Sequence, residues 1–462
     1  MQEPRQVICN LMNLRLLSFC PVVFLAALVA VSPALAQTKE QNDAKKAEDE
    51  AAKEALGTFS PPPVIPAIMQ IEKPMMTELE GRDFVKEGGR KAFLAVLRNN
   101  PNSLNTAAQK AIDDAAKFHM YRMSLKSHRH ELADLREGMR RTFQLKVKQG
   151  AVRNYFLERV TFYATKLLDG NFHVRLNAVF QLSELDKVPA NRARKIPAVA
   201  YVGSLDPLLG VITDKDQPDA IKVAAAKGVM RILLQGDSDS IDEKIRYRVA
   251  EEFIPELKRK DAHFWYSMLL AKGLGISGIV YDRARKVQFV PDALLAVVVD
   301  KQRNWLTRCE AAKAIGRLPL DGKSDIKGIM GGLVNLGYEM SMAYNKAPKA
   351  SYWKGCYYDL YFSFRAANSR VKPVPGLMNN TRILNGNTGN LVKSGYQVIL
   401  PLVQHVLKNQ PNPIDQKKID DVADWLKSNQ LMKNGKQKKT PGKAPSAEGD
   451  RKATVESASI SD

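Results

Sequence analysis

Apolar residues recur at helical spacing from about Arg82 to Ser428, and turn residues interrupt them often enough to predict a succession of short and medium helices. Phe84-Val85, Phe93-Leu94 and Val96-Leu97 mark the first. Asn99-Asn100-Pro101-Asn102 closes it, because a residue before proline disfavours helical backbone. Ser103 is the expected cap of the next helix, where Ala107, Ala108, Ala111, Ile112, Ala115 and Ala116 form a stripe of mostly small residues suited to close packing. From Lys117 to Lys148 the text predicts one long charged helix with a single apolar stripe (Leu125, Leu132, Leu135, Met139, Phe143), more suited to packing on its neighbours than to a coiled coil.

The pattern then repeats. Leu167 to Leu185 holds a turn at Asp169-Gly170-Asn171 and opens into Val174-Arg175-Leu176-Asn177-Ala178. The same design returns three times: Asp214 with Lys222 and Ala225, Asp261 with Ser267 and Leu270, and Asp300 with Arg308 and Ala311. Adding 86 to Leu208, Leu209, Val211, Asp214, Lys215, Ala225, Ala226 and Lys227 gives Leu294, Leu295, Val297, Asp300, Lys301, Ala311, Ala312 and Lys313. Periods of 47, 45 and 41 residues between Arg175, Lys222, Ser267 and Arg308 suit two-helix solenoid repeats. The predicted fold class is therefore all-α, an α-solenoid of two-helix repeats with degenerate helical flanks. Such units bury their apolar faces only against each other, with alanines setting the approach. The turn aspartates are expected to cap the second helix of each unit, in preference to pairing with its basic residue.

These residues resemble the HEAT family, whose second helix opens on valine–arginine and runs into alanines and a leucine. Val174-Arg175-Leu176-Asn177-Ala178 is the nearest match, Thr307-Arg308 keeps the arginine, Ile221-Lys222 replaces it with lysine, and Ser267 lacks a base altogether. That last departure interrupts any continuous aspartate–arginine ladder. The resemblance covers about Val152 to Leu318, and it implies an armadillo-like helical scaffold. The layout of the whole chain also resembles exported HEAT-repeat proteins of environmental bacteria.

Flanking segments complete the expected layout. Residues 1–36 read as a secretory signal, with Arg5 and Arg15 ahead of an apolar run and cleavage near Ala36, leaving no transmembrane helix and a periplasmic or secreted protein. Residues 37–66 form a charged and proline-rich tether, 67–150 an N-terminal helical region, 151–320 the HEAT-like repeats, 321–428 a C-terminal helical region and 429–462 a disordered basic tail. Between Tyr352 and Phe364 aromatic residues concentrate. Trp353, Tyr357 and Tyr361 share a helical face and are the candidate binding surface, although a core that closes the array is the preferred explanation. Asn368 to Asn390 reads as a loop, followed by helices at about Leu391–Leu407 and Asp415–Lys427.

Charge and chemistry narrow the function classes. The net charge of +21, of which the signal carries only one unit, favours an anionic partner, but the basic residues are spread along the whole chain. Once the signal is removed only Cys309 and Cys356 remain, which excludes a disulfide scaffold and leaves open whether the two are bridged or free. No nucleophile elbow, phosphate-cradling glycine loop, Cys-x-x-Cys or haem-attachment motif occurs, and His128-Arg129-His130 has the wrong spacing for one helical face. The sequence therefore predicts no catalytic, cofactor or metal-ligating residue and no small-molecule substrate. Its leading reading is an exported non-enzymatic scaffold for another protein or an extended ligand. The alternatives are an anionic-polymer or nucleic-acid binding protein and, last, an enzyme of HEAT-like fold.

Overall fold

The computed structural model describes residues 68, 72–141, 147–191, 193–237, 239–367 and 374–431, all within one unit, Ala47–Asp462. The signal, the tether, the tail and Phe143 lie outside the described residues. The fold is all-α, about 70% helical.

Helices α1 (Glu78–Lys86), α2 (Gly89–Asn99) and α3 (Thr106–Tyr121) come first. Thr77 and Glu80 close a reciprocal capping box on α1, and Asn100 ends α2 in the left-handed region at φ 40°. Ser103 does not cap α3; Asn105 does, its side chain accepting from the Ala108 amide at 2.8 Å. The long helix expected after Lys117 is broken. Short 3₁₀ turns at Arg122–Ser124 and Lys126–Glu131 precede α4 (Leu132–Met139), because Leu125 turns extended and the Ser124 hydroxyl takes the Met75 amide at 2.8 Å. The apolar stripe survives the break, since Leu125, Leu132, Leu135 and Met139 are all buried.

Next come α5 (Ala151–Lys166), α6 (Phe172–Glu184), α7 (Leu205–Thr213), α8 (Asp219–Gln235), α9 (Glu243–Lys258), α10 (Phe264–Ser277), α11 (Val290–Val299), α12 (Trp305–Gly316), α13 (Ile326–Lys346) and α14 (Trp353–Phe364). Even-numbered helices pack side by side in the order α6–α8–α10–α12–α14, and α7–α9–α11–α13 pack in a second row beneath them. The sequence reason is visible on the contact faces. Ala178, Ala225, Ala226, Ala311 and Ala312 are fully buried, and a methyl group on Gly228 would come within 2.2 Å of the Ser183 hydroxyl of α6. On Gly316 it would lie 2.2 Å from the Ser363 carbonyl oxygen of α14. Small residues thus set how near the even-numbered helices come to one another.

Between α6 and α7 the chain makes a two-stranded antiparallel ribbon, β1 (Asp186–Val188) with β2 (Val199–Ala200), which the helical periodicity does not foreshadow. Helices α15 (Gly386–Asn409) and α16 (Gln416–Ser428) close the described chain against α13. The first of them starts five residues before its expected position at Leu391. Among the described residues no helix is long and apolar enough to cross a membrane.

Candidate partner-binding face and the ion pairs beneath it

The turn aspartates do not cap the even-numbered helices. Asn171 caps α6, accepting from the Val174 amide at 3.1 Å, and Asn304 caps α12, accepting from Thr307 at 2.8 Å. On α10 the cap is the His263 imidazole, 3.2 Å from the Trp265 amide, and α8 begins at Pro218 with no side-chain cap. Each aspartate sits too early in its turn to reach the helix. Asp169 is exposed and pairs at 3.5 Å with Lys73, Asp214 takes the Asp216 amide at 2.9 Å, Asp261 pairs with Arg259 at 3.0 Å, and Asp300 takes the Gln302 amide at 3.1 Å. Asp300 also bonds Lys260 of the preceding unit.

The basic positions have a different job. Lys222 is fully buried and pairs with Glu256 of α9 at 3.0 Å, while Arg308, 2% exposed, pairs with Glu339 of α13 at 2.5 Å and donates from Nε to the Val298 carbonyl at 2.8 Å. In both units the cation of an even-numbered helix reaches forward to a glutamate on the odd-numbered helix that follows it. Arg175 stays local and donates to the Gly170 carbonyl at 2.6 Å. Glu256 is satisfied three times, by Lys222, Tyr266 and Arg259, each at 3.0 Å. Burial, with the Glu256 charge beside it, pushes the Tyr266 phenol well up, so it remains a donor.

The unit without a base is completed from outside. Arg303, in the turn before α12, donates to the Ser267 hydroxyl at 3.1 Å and to the Leu257 and Arg259 carbonyls at 2.9 and 2.8 Å. A guanidinium therefore occupies the position that Ser267 leaves short. Neither Arg303 nor the glutamates Glu256 and Glu339 stood out in the sequence. The similar offsets, 34 residues from Lys222 to Glu256 and 31 from Arg308 to Glu339, are the signal that could have found the two glutamates.

Of the aromatic candidates, Trp353 and Tyr357 are corrected: they are 1% and 0% exposed and form no surface. The Trp353 indole donates to the Ala347 carbonyl at 2.9 Å, and the Tyr357 and Ser341 hydroxyls are 3.1 Å apart. Tyr361 is half-buried with its ring 6.4 Å from that of Tyr396 on α15. The aromatic face of α14 is thus the seal between α13 and α15. Tyr358, on the opposite side, is exposed. Cys309 and Cys356 are both free and buried. Burial pushes the Cys309 thiol well up, and the neighbouring Cys356 thiol adds to the shift.

Three successive even-numbered helices carry lysines at matching positions on their outer face: Lys227 on α8, Lys272 on α10 and Lys313 on α12. The Lys227 amine lies 5.7 Å from the centre of the Trp265 ring, which is 59% exposed. Lys313 is held by Glu310 at 2.8 Å and by Asp359 of α14 at 2.6 Å. Lys272 makes no hydrogen bond or ion pair among the described residues, and burial pushes its amine below the usual lysine range. Arg317, one turn beyond Lys313, stands 3.7 Å from Glu310, and its buried Nε has no partner.

No family model, curated protein or solved structure matches this chain, so its residues alone carry the functional reading.

Proposed function

We propose that this chain is a non-enzymatic scaffold: a stack of two-helix units resembling HEAT repeats that presents the outer face of α6, α8, α10, α12 and α14 to another protein. The observation that carries the reading is the division of labour among the charges. Lys222, Arg308 and Arg303 are consumed in bridging one helix pair to the next, whereas Lys227 and Lys272 hold no ion pair among the described residues and Arg317 meets Glu310 only at 3.7 Å. Ion pairs spent inside a stack hold its register. Cations left unneutralised on its face are available to a partner.

Export belongs to the same proposal, with residues 1–36 as a signal removed near Ala36. Amino-terminal sequencing of the protein recovered outside the cytoplasm tests that point, and a start at Gln37 is expected. The scaffold reading is tested by affinity capture with the full chain at low and at high salt. A protein retained in stoichiometric amount at both salt levels supports it. A second reading, binding to an anionic polymer, is favoured by the net charge of +21 and by the lysines on the outer face. It requires affinity to fall steeply as salt rises.

A further inference from the structure

Resting on the scaffold reading, we propose that the outer face of α8, α10 and α12 binds an extended acidic polypeptide, taking one carboxylate each at Lys227, Lys272 and Arg317. Lys227 and Lys272 stand on α8 and α10, and Arg317 directly follows α12. Close approach fixes their relation, since a methyl group on Gly273 would meet Met230 of α8 at 3.4 Å, and one on Gly275 would meet the Ala314 backbone of α12 at 2.9 Å.

Each of the three lacks a full counter-ion for its own reason. Lys227 is exposed and rests over the Trp265 ring. Lys272 is set among half-buried apolar neighbours on its own helix, Leu269 one turn before and Ile276 one turn after. Around it stand Glu310, Arg317, Lys313 and Asp359, and both carboxylates pair with Lys313. The Arg317 guanidinium makes no hydrogen bond among the described residues and meets Glu310 only at 3.7 Å. A carboxylate arriving here would gain charge-assisted bonds in partly desolvated surroundings, where they are stronger than on open surface.

Spacing selects the class of polyanion. Packed helices lie ~8–10 Å apart, and a polypeptide in the extended polyproline-II conformation rises ~3.1 Å per residue with about three residues per turn, so carboxylates three residues apart lie on one side and match successive helices. The residues between them can be neutral where they pass Glu310 and Asp359. A nucleic-acid strand carries a charge roughly every 3.4 Å and would have to set phosphates against those two acids. Trp265, 59% exposed beside Lys227, adds an apolar contact for one intervening side chain.

Fluorescence anisotropy with the full-length chain tests the proposal. The probe is a labelled peptide of about 12 residues with glutamate at every third position among proline and serine, which favour the polyproline-II conformation at ~3.1 Å per residue. A peptide of the same composition with its glutamates adjacent, and an oligothymidylate of similar length, serve as comparisons. The spaced peptide is expected to bind about fivefold or more tightly than the clustered one and more tightly than the oligonucleotide. Lys272→Glu should weaken it about tenfold or more and Lys272→Gln by less, while Lys417→Glu on exposed α16 should leave it unchanged. Because Lys272 holds no ion pair, its replacement removes no internal bond, and unaltered circular dichroism of both variants checks this. Failure of the wild-type chain to bind the spaced peptide, tighter binding of the oligonucleotide, or equal losses from Lys417→Glu and Lys272→Glu would overturn the proposal. A partner captured equally well by the Lys272→Glu chain would move the binding face elsewhere and leave the scaffold standing. Capture of no partner by the wild-type chain would remove the scaffold reading itself.

Discussion

Asn171 and Asp169 are two residues apart and do different things. Asn171 is 3% exposed and caps α6, so Asn171→Ala should cost about 0.5–2 kcal/mol of unfolding free energy. Asp169→Ala, at an exposed side chain holding only a 3.5 Å pair to Lys73, should change it by less than about 0.5 kcal/mol. Urea denaturation of the two variants gives the ranking, and equal losses would return the cap to the aspartate. The buried pairs are costlier to break. Glu339→Gln leaves the Arg308 guanidinium, 2% exposed, without its counter-ion and should cost about 3–5 kcal/mol. Acid acts on the same bond. Burial opposes ionisation of Glu339, but its bonds to Arg308, Lys301 and Asn335 win and hold its carboxyl below the usual 4.5. His119 is displaced downward as well, from 6.5 to about 3, by burial first and then by Arg122 and Arg90. In both cases the unfolded chain takes up protons before the folded one does. Stability should therefore fall as pH drops from about 6.5 toward 3, with the Glu339 part entering below 4.5. Urea midpoints measured across that range check the sign, and Glu339→Gln should flatten the lower end.

Helices carry the next level of the account. Contact between even-numbered helices is set by glycines and alanines, and it leaves little room for error. A methyl group at Gly316 would lie 2.2 Å from the Ser363 carbonyl oxygen, a backbone atom that cannot swing aside. Gly316→Ala should therefore destabilise the fold by about 1–3 kcal/mol or more, although alanine is the better helix former. A thermal melt unchanged or raised in that variant would contradict the packing of α12 on α14. The helices themselves were largely legible, because the apolar period of Val174 to Leu182 or Leu306 to Ile315 is a local property. Caps were less so: Asp169 and Asn171 both lie in the turn before α6, and which one reaches the first free amide depends on backbone torsions that composition does not state. The break of the expected long helix at Leu125 depends on Ser124 meeting Met75, 49 residues away. No local pattern records such a contact. The same holds for Arg303, which completes a unit 36 residues upstream by reaching Ser267.

For the whole molecule, the candidate site moved. Sequence reasoning offered the Trp353, Tyr357 and Tyr361 helix as a binding surface while preferring a closing core, because aromatics at one spacing look alike whether they face solvent or a neighbour; Tyr344 of α13 packs on the first two. The lysines at 227, 272 and 313 were legible as matched positions, but their pairing was not. Whether a lysine is neutralised depends on acids such as Asp359, 46 residues downstream of Lys313. Lys227 and Lys272 are left without an ion pair among the described residues, while Lys222 and Arg308 pair with Glu256 and Glu339. The measurement that bears most directly on this is affinity capture by the full-length chain from an extract of its native cells at low and high salt. The account predicts one protein retained in stoichiometric amount at both salt levels. Retention of nothing, or only of polyanions that salt strips away, would contradict it.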